Sequence, residues 1–304
     1  MRHLLFILFL FPFLVHAQES RPKVGLVLGG GGAKGAAHVG VLKYIEESGV
    51  KIDMVVGTSI GSIVGGLYAC GKSSDDLEEL FRSQDWLDLL TKKSQEFQSD
   101  HTNGILRGDS VESLLGHLAN QPENIDFDSL PIPFRCVAVN TNTAEEVVLS
   151  QGNLARSMRA SMAIPLVFKQ VNMNGMSLSD GGLLNNLPVD VAKAWGCDII
   201  IAVDLTQNKH EDEDDEPSLL ERISDKVKPK TLLVKLAKWA IERPDVDKYK
   251  ENVANATIYI NPDLDGYGAQ SFTAKAISEM IQRGVNAGKE ALPELKKLAE
   301  SQLR

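Results

Sequence analysis

The chain has 304 residues, 43% of them hydrophobic and 24% charged, which suffices for a large buried core and excludes disordered and fibrous classes. Its formal net charge of −9 argues against nucleic acid as a partner and against a general attraction to anionic lipid. Any transient contact with a membrane surface is therefore expected through local apolar patches.

The first 17 residues have the organisation of a signal peptide. Arg2 precedes an apolar run from Leu4 to Val15, and Val15-His16-Ala17 fits a small-x-small cleavage site. The run is shorter than the roughly 20 residues that a membrane-spanning helix needs, although an uncleaved anchor or a buried first helix stays open. We expect cleavage and export to the periplasm or the extracellular space.

A strand, helix, strand, helix order opens the mature chain. Val24–Leu28 is a short apolar run typical of a buried strand, and Gly35–Ser48 has helical periodicity with Gly49 as its stop. A second strand is predicted at Ile52–Val56, and the helix after it reaches Cys70. This βαβ order predicts an α/β fold with a mainly parallel central sheet.

The later elements are predicted less sharply. In chain order they are a mainly helical region at 74–120, a break at 122–133, strands at 134–139 and 147–149 joined as a hairpin, a buried strand at 198–203, an acidic solvated loop at 210–216, an amphipathic helix after Pro229, a strand at 256–260 and one or two helices at 272–303. Because neither a repeat nor a long linker is evident, residues 18–304 are predicted to form one domain, with core motifs in 24–203 and a C-terminal strand and helices in 204–304.

The sequence Gly57-Thr58-Ser59-Ile60-Gly61 is a GxSxG motif between a predicted strand and a predicted helix. A serine on so sharp a turn needs small neighbours, because larger side chains would collide with the adjacent strand and helix. Its hydroxyl is exposed close to a helix N-terminus, where developing negative charge is favoured. Ser59 is therefore the candidate nucleophile.

A glycine-rich turn follows the first strand, where Gly30-Gly31-Gly32-Ala33-Lys34-Gly35 offers unencumbered backbone N–H groups for an oxyanion. The run also matches the GxGxxG pattern of dinucleotide-binding folds. That pattern expects an acid at the end of the second strand, whereas Asp53 stands at the start of this one. An oxyanion turn is therefore the preferred interpretation.

The stretch Gly66–Ser73 satisfies the phosphate-loop pattern GxxxxGK[ST] by its letters. The pattern functions between a strand and a following helix, and here it overlaps the end of a helix. Gly71 is better interpreted as a helix stop, and Ser73 or Ser74 as the next N-cap. No nucleotide is predicted to bind.

The general base is the remaining requirement. In a common serine triad the acid is followed along the chain by histidine, and only His210 follows the plausible acids, inside the acidic loop. His38 lies within the first predicted helix. Asp180, on a predicted turn before Gly181 and Gly182, could accept the Ser59 proton directly if it lies within hydrogen-bond reach. Neither a metal nor a cofactor is predicted, and the scattered cysteines at 70, 136 and 197 indicate buried apolar positions.

Together these motifs resemble the patatin-like phospholipase family over residues 24–203, and the segments 159–165 and 183–189 add to the resemblance. The family implies a three-layer α/β/α fold and a calcium-independent acyl hydrolase acting on phospholipids, lysophospholipids or other acyl esters. It also implies a Ser59–Asp180 dyad, with Gly30, Gly31 and Gly32 as the oxyanion turn. Lys34 matches the basic residue of the glycine motif, which implies positioning of the turn and not proton transfer.

The function expected from the sequence is thus hydrolysis of lipid acyl esters through an acyl-enzyme. Gly35, Gly57, Gly61, Gly181 and Gly182 are expected to support the two motifs. The alternatives are a non-lipid esterase or thioesterase, and a catalytically inactive lipid-binding protein.

Overall fold

The computed structural model describes residues 21–90, 108–165, 167–206 and 246–303. The predicted signal peptide, His210 with its acidic loop, and the amphipathic helix after Pro229 lie outside these ranges. In the described part of the chain, none of the helices has the length and apolar character required to cross a bilayer.

Strands and helices alternate along the chain. The strands are β1 (Val24–Leu28), β2 (Met54–Thr58), β3 (Ile125–Asp126), β4 (Phe134–Asn140), β5 (Glu145–Leu149), β6 (Gln151–Gly152), β7 (Val171–Met173), β8 (Met176–Asp180), β9 (Ile199–Val203) and β10 (Ile258–Ile260). The α-helices are α1 (Ala36–Ser48), α2 (Ile60–Ala69), α3 (Ser74–Arg82), α4 (Gln84–Leu90), α5 (Asp109–Ala119), α6 (Leu154–Ser161), α7 (Val189–Ala194), α8 (Val246–Asn255) and α9 (Ala274–Ser301).

The central sheet has the strand order β10-β9-β1-β2-β4-β8-β7, with β5 also paired to β4. The pairs from β10 to β4 are parallel, and those of β4 with β5 and β8, and of β7 with β8, are antiparallel. The predicted α/β class with a mainly parallel sheet is confirmed.

Helices cover both faces of this sheet. Along β1, Leu26 and Leu28 join the core beneath α1, α2 and α9, whereas Val27 points to a second core formed with α7 and α8. Because both faces are buried, β1 and β2 are apolar or small at every position, as is typical of parallel strands. The three layers are thus helix, sheet and helix.

Several boundaries differ from the sequence-based expectations. β2 begins two residues later than predicted, because its first paired residue is Met54 opposite Gly25 of β1. The β7–β8 hairpin was missed, since its strands are short and β8 alternates serine with larger residues. Asp180, expected on a turn, is the last residue of β8 and caps the 3₁₀ turn Gly181–Leu183 that follows it. The closing region is one helix, α9, which continues through Pro293 because Leu295 and Leu298 beyond it are buried.

Candidate active site

The carboxyl ends of β2 and β8 meet head to head at the candidate site. Thr58 of β2 pairs with Val137 of β4, and Asp180 of β8 pairs with the next residue, Ala138. Because β5 occupies the other edge of β4 over the same stretch, β8 must lie on the edge that β2 uses. The chain therefore places Ser59, which follows β2, directly against the end of β8.

The hydroxyl of Ser59 donates a hydrogen bond to Oδ2 of Asp180 at 2.7 Å. Each of these two residues is 6% exposed. The structure thus brings together the candidate nucleophile and the candidate base, which are 121 residues apart in the chain.

Ser59 has a backbone conformation, φ 54° and ψ −125°, that side-chain-bearing residues seldom adopt. Its N–H donates to Oγ of Ser161 at 2.9 Å, and Ser161 in turn donates to the carbonyl oxygen of Val137 at 2.6 Å. Its carbonyl accepts from Oγ and N–H of Ser62. These bonds hold the strained turn, and sequence reasoning had assigned Ser161 no role.

The glycines around Ser59 are required by close approach. A Cβ on Gly61 would overlap the carbonyl oxygen of Leu28 at the end of β1, and one on Gly57 would overlap the carbonyl oxygen of Gly61. Gly35 likewise faces the side chain of Ile60. The expected collision of larger side chains with the neighbouring strand and helix is thus present at both ends of the motif.

The carboxyl group of Asp180 is buried and held on both oxygens. While Oδ2 accepts from Ser59, Oδ1 accepts from the N–H of Gly182 at 2.7 Å. Burial raises the pKa of this carboxyl from 3.8 to about 6, although the two hydrogen bonds act in the opposite direction. Such a carboxylate is ionised at neutral pH and basic enough to accept a proton from a hydroxyl under attack. Gly181 packs against the Val137 carbonyl, where a side chain would not fit.

The glycine-rich turn lies against Ser59, since a Cβ on Gly30 would come within 3.1 Å of Cβ of Ser59. The N–H of Gly30 is already used, because it donates to the carbonyl oxygen of Asn186 at 3.1 Å. Within the described chain, the amides of Gly31 and Gly32 have no acceptor. The geometry therefore leaves these two as candidate oxyanion donors and gives Gly30 a spacing role. The amide of Lys34 donates to the carbonyl oxygen of Gly31 at 3.2 Å, which closes the turn.

His38 is fully buried in α1, and Nε2 lies 2.8 Å from the carbonyl oxygen of Gly29. Because a carbonyl only accepts, Nε2 carries the proton. Burial lowers the pKa of His38 to about 4, so the ring is neutral over the physiological range. This histidine supports the strand end before the turn.

The two nucleotide-binding patterns have structural explanations. Gly71 has a left-handed conformation, φ 93°, after the end of α2, and Ser73 caps α3 in a capping box with Asp76. Asp53 accepts from both guanidinium nitrogens of Arg21 and from the N–H of Val24 at the opposite end of the sheet from the glycine-rich turn. The stretch Gly66–Ser73 thus connects two helices, and Asp53 is not placed beside the glycine-rich turn.

A family model described as Patatin-like phospholipase matches residues 26–193, more than half of the chain. The chain belongs to the patatin-like phospholipase family. The matched range contains the glycine-rich turn, the GxSxG turn and the Asp180 turn, so all three components of the site lie within the family's domain.

Relatives extend this similarity beyond the matched range. Lysophospholipase nte1 of Aspergillus fumigatus is 32% identical over 293 residues, which cover 90% of this chain and 18% of the fungal protein. An uncharacterized NTE family protein of Mycobacterium tuberculosis is 35% identical over 194 residues, 62% of this chain and 50% of that protein. This patatin-like chain therefore spans only a small part of the fungal relative's length.

Among solved structures, VipD from Legionella pneumophila has a TM-score of 0.60 to this chain with 16% sequence identity. The match covers 90% of this chain and 67% of VipD. At this level of identity the likeness concerns the patatin-like fold alone.

Proposed function

We propose that this patatin-like protein hydrolyses carboxylic esters of phospholipids or lysophospholipids. The observation that carries the proposal is the 2.7 Å hydrogen bond from Ser59 to a buried Asp180, beside two backbone amides that have no acceptor in the described chain. The name of the fungal relative, a lysophospholipase, supports a lipid ester as substrate.

In the first half-reaction, Oγ of Ser59 attacks the ester carbonyl carbon while its proton passes to Oδ2 of Asp180. The carbonyl oxygen becomes an oxyanion that accepts hydrogen bonds from the amides of Gly31 and Gly32. When the tetrahedral adduct collapses, the alcohol half of the lipid leaves with the proton from Asp180. The acyl group stays on Ser59.

In the second half-reaction, water attacks the acyl-enzyme and gives a proton to Asp180. Collapse of the second adduct releases the fatty acid and returns the proton to Ser59. One ester bond and one water are consumed, and the dyad ends as it began. A carboxylate suffices as base because burial has already raised its pKa to about 6.

The test compares the wild-type protein with Ser59→Ala and Asp180→Asn. We expect hydrolysis of a short p-nitrophenyl ester and of lysophosphatidylcholine by the wild type only, and fluorophosphonate labelling of wild type that Ser59→Ala abolishes. Near-normal turnover in either variant would contradict the mechanism. Turnover of soluble esters or thioesters but not of lipid would favour the non-lipid hydrolase, and complete inertness with lipid binding would favour the inactive binding protein.

We also propose that residues 1–17 direct export and are removed, on the basis of the apolar run and the Val15-His16-Ala17 site. The mature chain would then meet lipid in the periplasm or the extracellular space, with membrane contact transient. Mass spectrometry of the protein secreted from its own cell type should give an N-terminus at Gln18. Retention of Met1 or of the apolar run would contradict export by cleavage.

A further inference from the structure

The glycine-rich turn consists of consecutive peptide groups with different hydrogen-bond states. In the peptide between Gly29 and Gly30, the carbonyl accepts from His38 and the N–H donates to the main chain of Asn186, so both ends are occupied. The next two peptides carry the N–H groups of Gly31 and Gly32, which lack an acceptor in the described chain. The orientation of these two N–H groups therefore depends on the hydrogen bonds that the carbonyl oxygens of the same peptides accept.

Each of the two carbonyls is held. The carbonyl oxygen of Gly31 accepts from the amide of Lys34 within the turn itself. The carbonyl oxygen of Gly30 accepts from outside the turn, from Nδ2 of Asn186 at 3.3 Å. In a planar trans peptide the C=O and N–H bonds point in opposite directions. A bond to the Gly30 carbonyl therefore fixes the direction in which the Gly31 N–H points.

Asn186 is placed for this role by contacts on three sides. Its Oδ1 lies over Gly30 and Gly182, because a Cβ on either glycine would meet that atom, at 2.7 Å for Gly182. Its Nδ2 also lies 3.4 Å from Oγ1 of Thr206. The side chain is thus packed between the oxyanion turn and the turn that follows the candidate base.

The loop behind Asn186 is anchored in turn. Oδ1 of Asp204 accepts from the N–H of Thr206 at 2.9 Å, and Oδ2 accepts from the hydroxyls of Tyr249 and Tyr259. Asp204 is fully buried. A buried carboxylate with three donors gives Thr206, and hence Asn186, a fixed position.

We propose that Asn186 is a positioning residue that aims the Gly31 amide at the oxyanion of the tetrahedral adduct. The inference rests on the proposed function, since it assumes that Ser59 forms such an adduct. It requires a donor at Nδ2, which explains why an amide side chain suits the position and a carboxylate does not. An aspartate there would place an oxygen against the carbonyl oxygen of Gly30 and turn that peptide away.

The experiment uses Asn186→Asp, which keeps the size of the side chain and the main-chain bond to Gly30. We expect kcat to fall about 10- to 100-fold, less than the 10²–10³ typical of losing an oxyanion donor outright, while KM changes little. The affinity for a trifluoromethyl ketone, which forms a tetrahedral adduct with the serine, should fall by a similar factor.

Asn252→Asp is the matched control. Asn252 is more deeply buried than Asn186, and its side chain accepts from the N–H of Asp190 and donates to Oδ1 of Asn185 without a hydrogen bond to the glycine-rich turn in the described chain. Its substitution should therefore lower the melting temperature while kcat and ketone affinity stay near wild type. If Asn186→Asp does not fold, Asn186→Ala removes the donor without adding charge and carries the same expectation.

A folded Asn186 variant with kcat and ketone affinity within twofold of wild type would overturn the inference. An equal loss of both quantities in Asn252→Asp would also overturn it, because the effect would then be one of general stability. Failure of the proposed function is a separate result, since wild-type protein would then neither hydrolyse esters nor react with the fluorophosphonate.

Discussion

Replacing the candidate base by its uncharged analogue, Asp180→Asn, should abolish turnover and also stabilise the protein at neutral pH. The carboxylate accepts from Ser59 and from Gly182, and asparagine can keep both bonds because the serine hydroxyl can accept as well as donate. Asparagine therefore resembles the protonated acid. Only the unfavourable free energy of burying the ionised form is removed.

The magnitude follows from the pKa of Asp180, which is raised from 3.8 to about 6. Between these values the folded protein binds more protons than the unfolded chain, so stability falls as pH rises through that window. The loss is complete above pH 6 and amounts to about 3 kcal/mol at ~1.4 kcal/mol per pH unit. Asp180→Asn should therefore raise the free energy of unfolding by an amount of this order at pH 8 and change it little below pH 4.

Urea unfolding of both proteins at pH 8 and at pH 4 measures this difference. Asp76→Asn is a control of opposite sign, because hydrogen bonds from Ser73 lower the pKa of Asp76 and its ionised form stabilises the cap of α3. It should destabilise at pH 8. A gain for Asp180→Asn that is absent, or equal at both pH values, would refute the electrostatic reasoning.

Further outcomes follow from the same site. The value of kcat/KM should fall about tenfold per pH unit below pH 6 as Asp180 is protonated. A pH–rate profile whose acidic side depends on two protons, or has its midpoint near pH 4, would contradict this assignment. Ser161→Ala should lower kcat about tenfold or more in initial-rate assays, because the buried N–H of Ser59 loses its acceptor. Ser157→Ala is the control and should leave kcat near wild type, since the buried hydroxyl of Ser157 has no hydrogen-bond partner in the described chain. Gly61→Ala should fail to accumulate as folded protein on size exclusion, because the added Cβ would overlap the carbonyl oxygen of Leu28. In Gly116→Ala the added Cβ would lie 3.8 Å from its nearest neighbour, so that variant should fold normally.

The elements predicted well from the sequence are those fixed by short-range patterns. The run Val24–Leu28 was predicted as a buried strand, and the residues from Val24 to Gly61 were predicted to follow a strand, turn, helix, strand, turn order. Close approach explains part of this order: a Cβ on Gly57 or Gly61 would overlap a main-chain carbonyl oxygen, and one on Gly35 would overlap the side chain of Ile60. Constraints of this kind can be recognised in the sequence, because they appear as glycine at fixed positions.

The contacts missed from the sequence depend on distant pairings. Ser161 and Asn186 stand in two segments that added to the family resemblance, but sequence reasoning assigned neither residue a role of its own. Each acquires its contact only through folding, Ser161 with the N–H of Ser59 and Asn186 with the carbonyl oxygen of Gly30. The candidate oxyanion donors show the same limit. Gly30 was grouped with Gly31 and Gly32 because the three look alike in sequence, and the Asn186 carbonyl distinguishes it.

The head-to-head meeting of β2 and β8 has a consequence for biogenesis. The elbow that carries Ser59 is built from a local unit, whereas its proton acceptor arrives on a hairpin 121 residues later. A slip of one residue in the pairing of β8 with β4 would turn the carboxyl group to the other face of the sheet. A nascent or truncated polypeptide that ends before β8 would carry the Ser59 turn without Asp180, the base that the proposed mechanism requires.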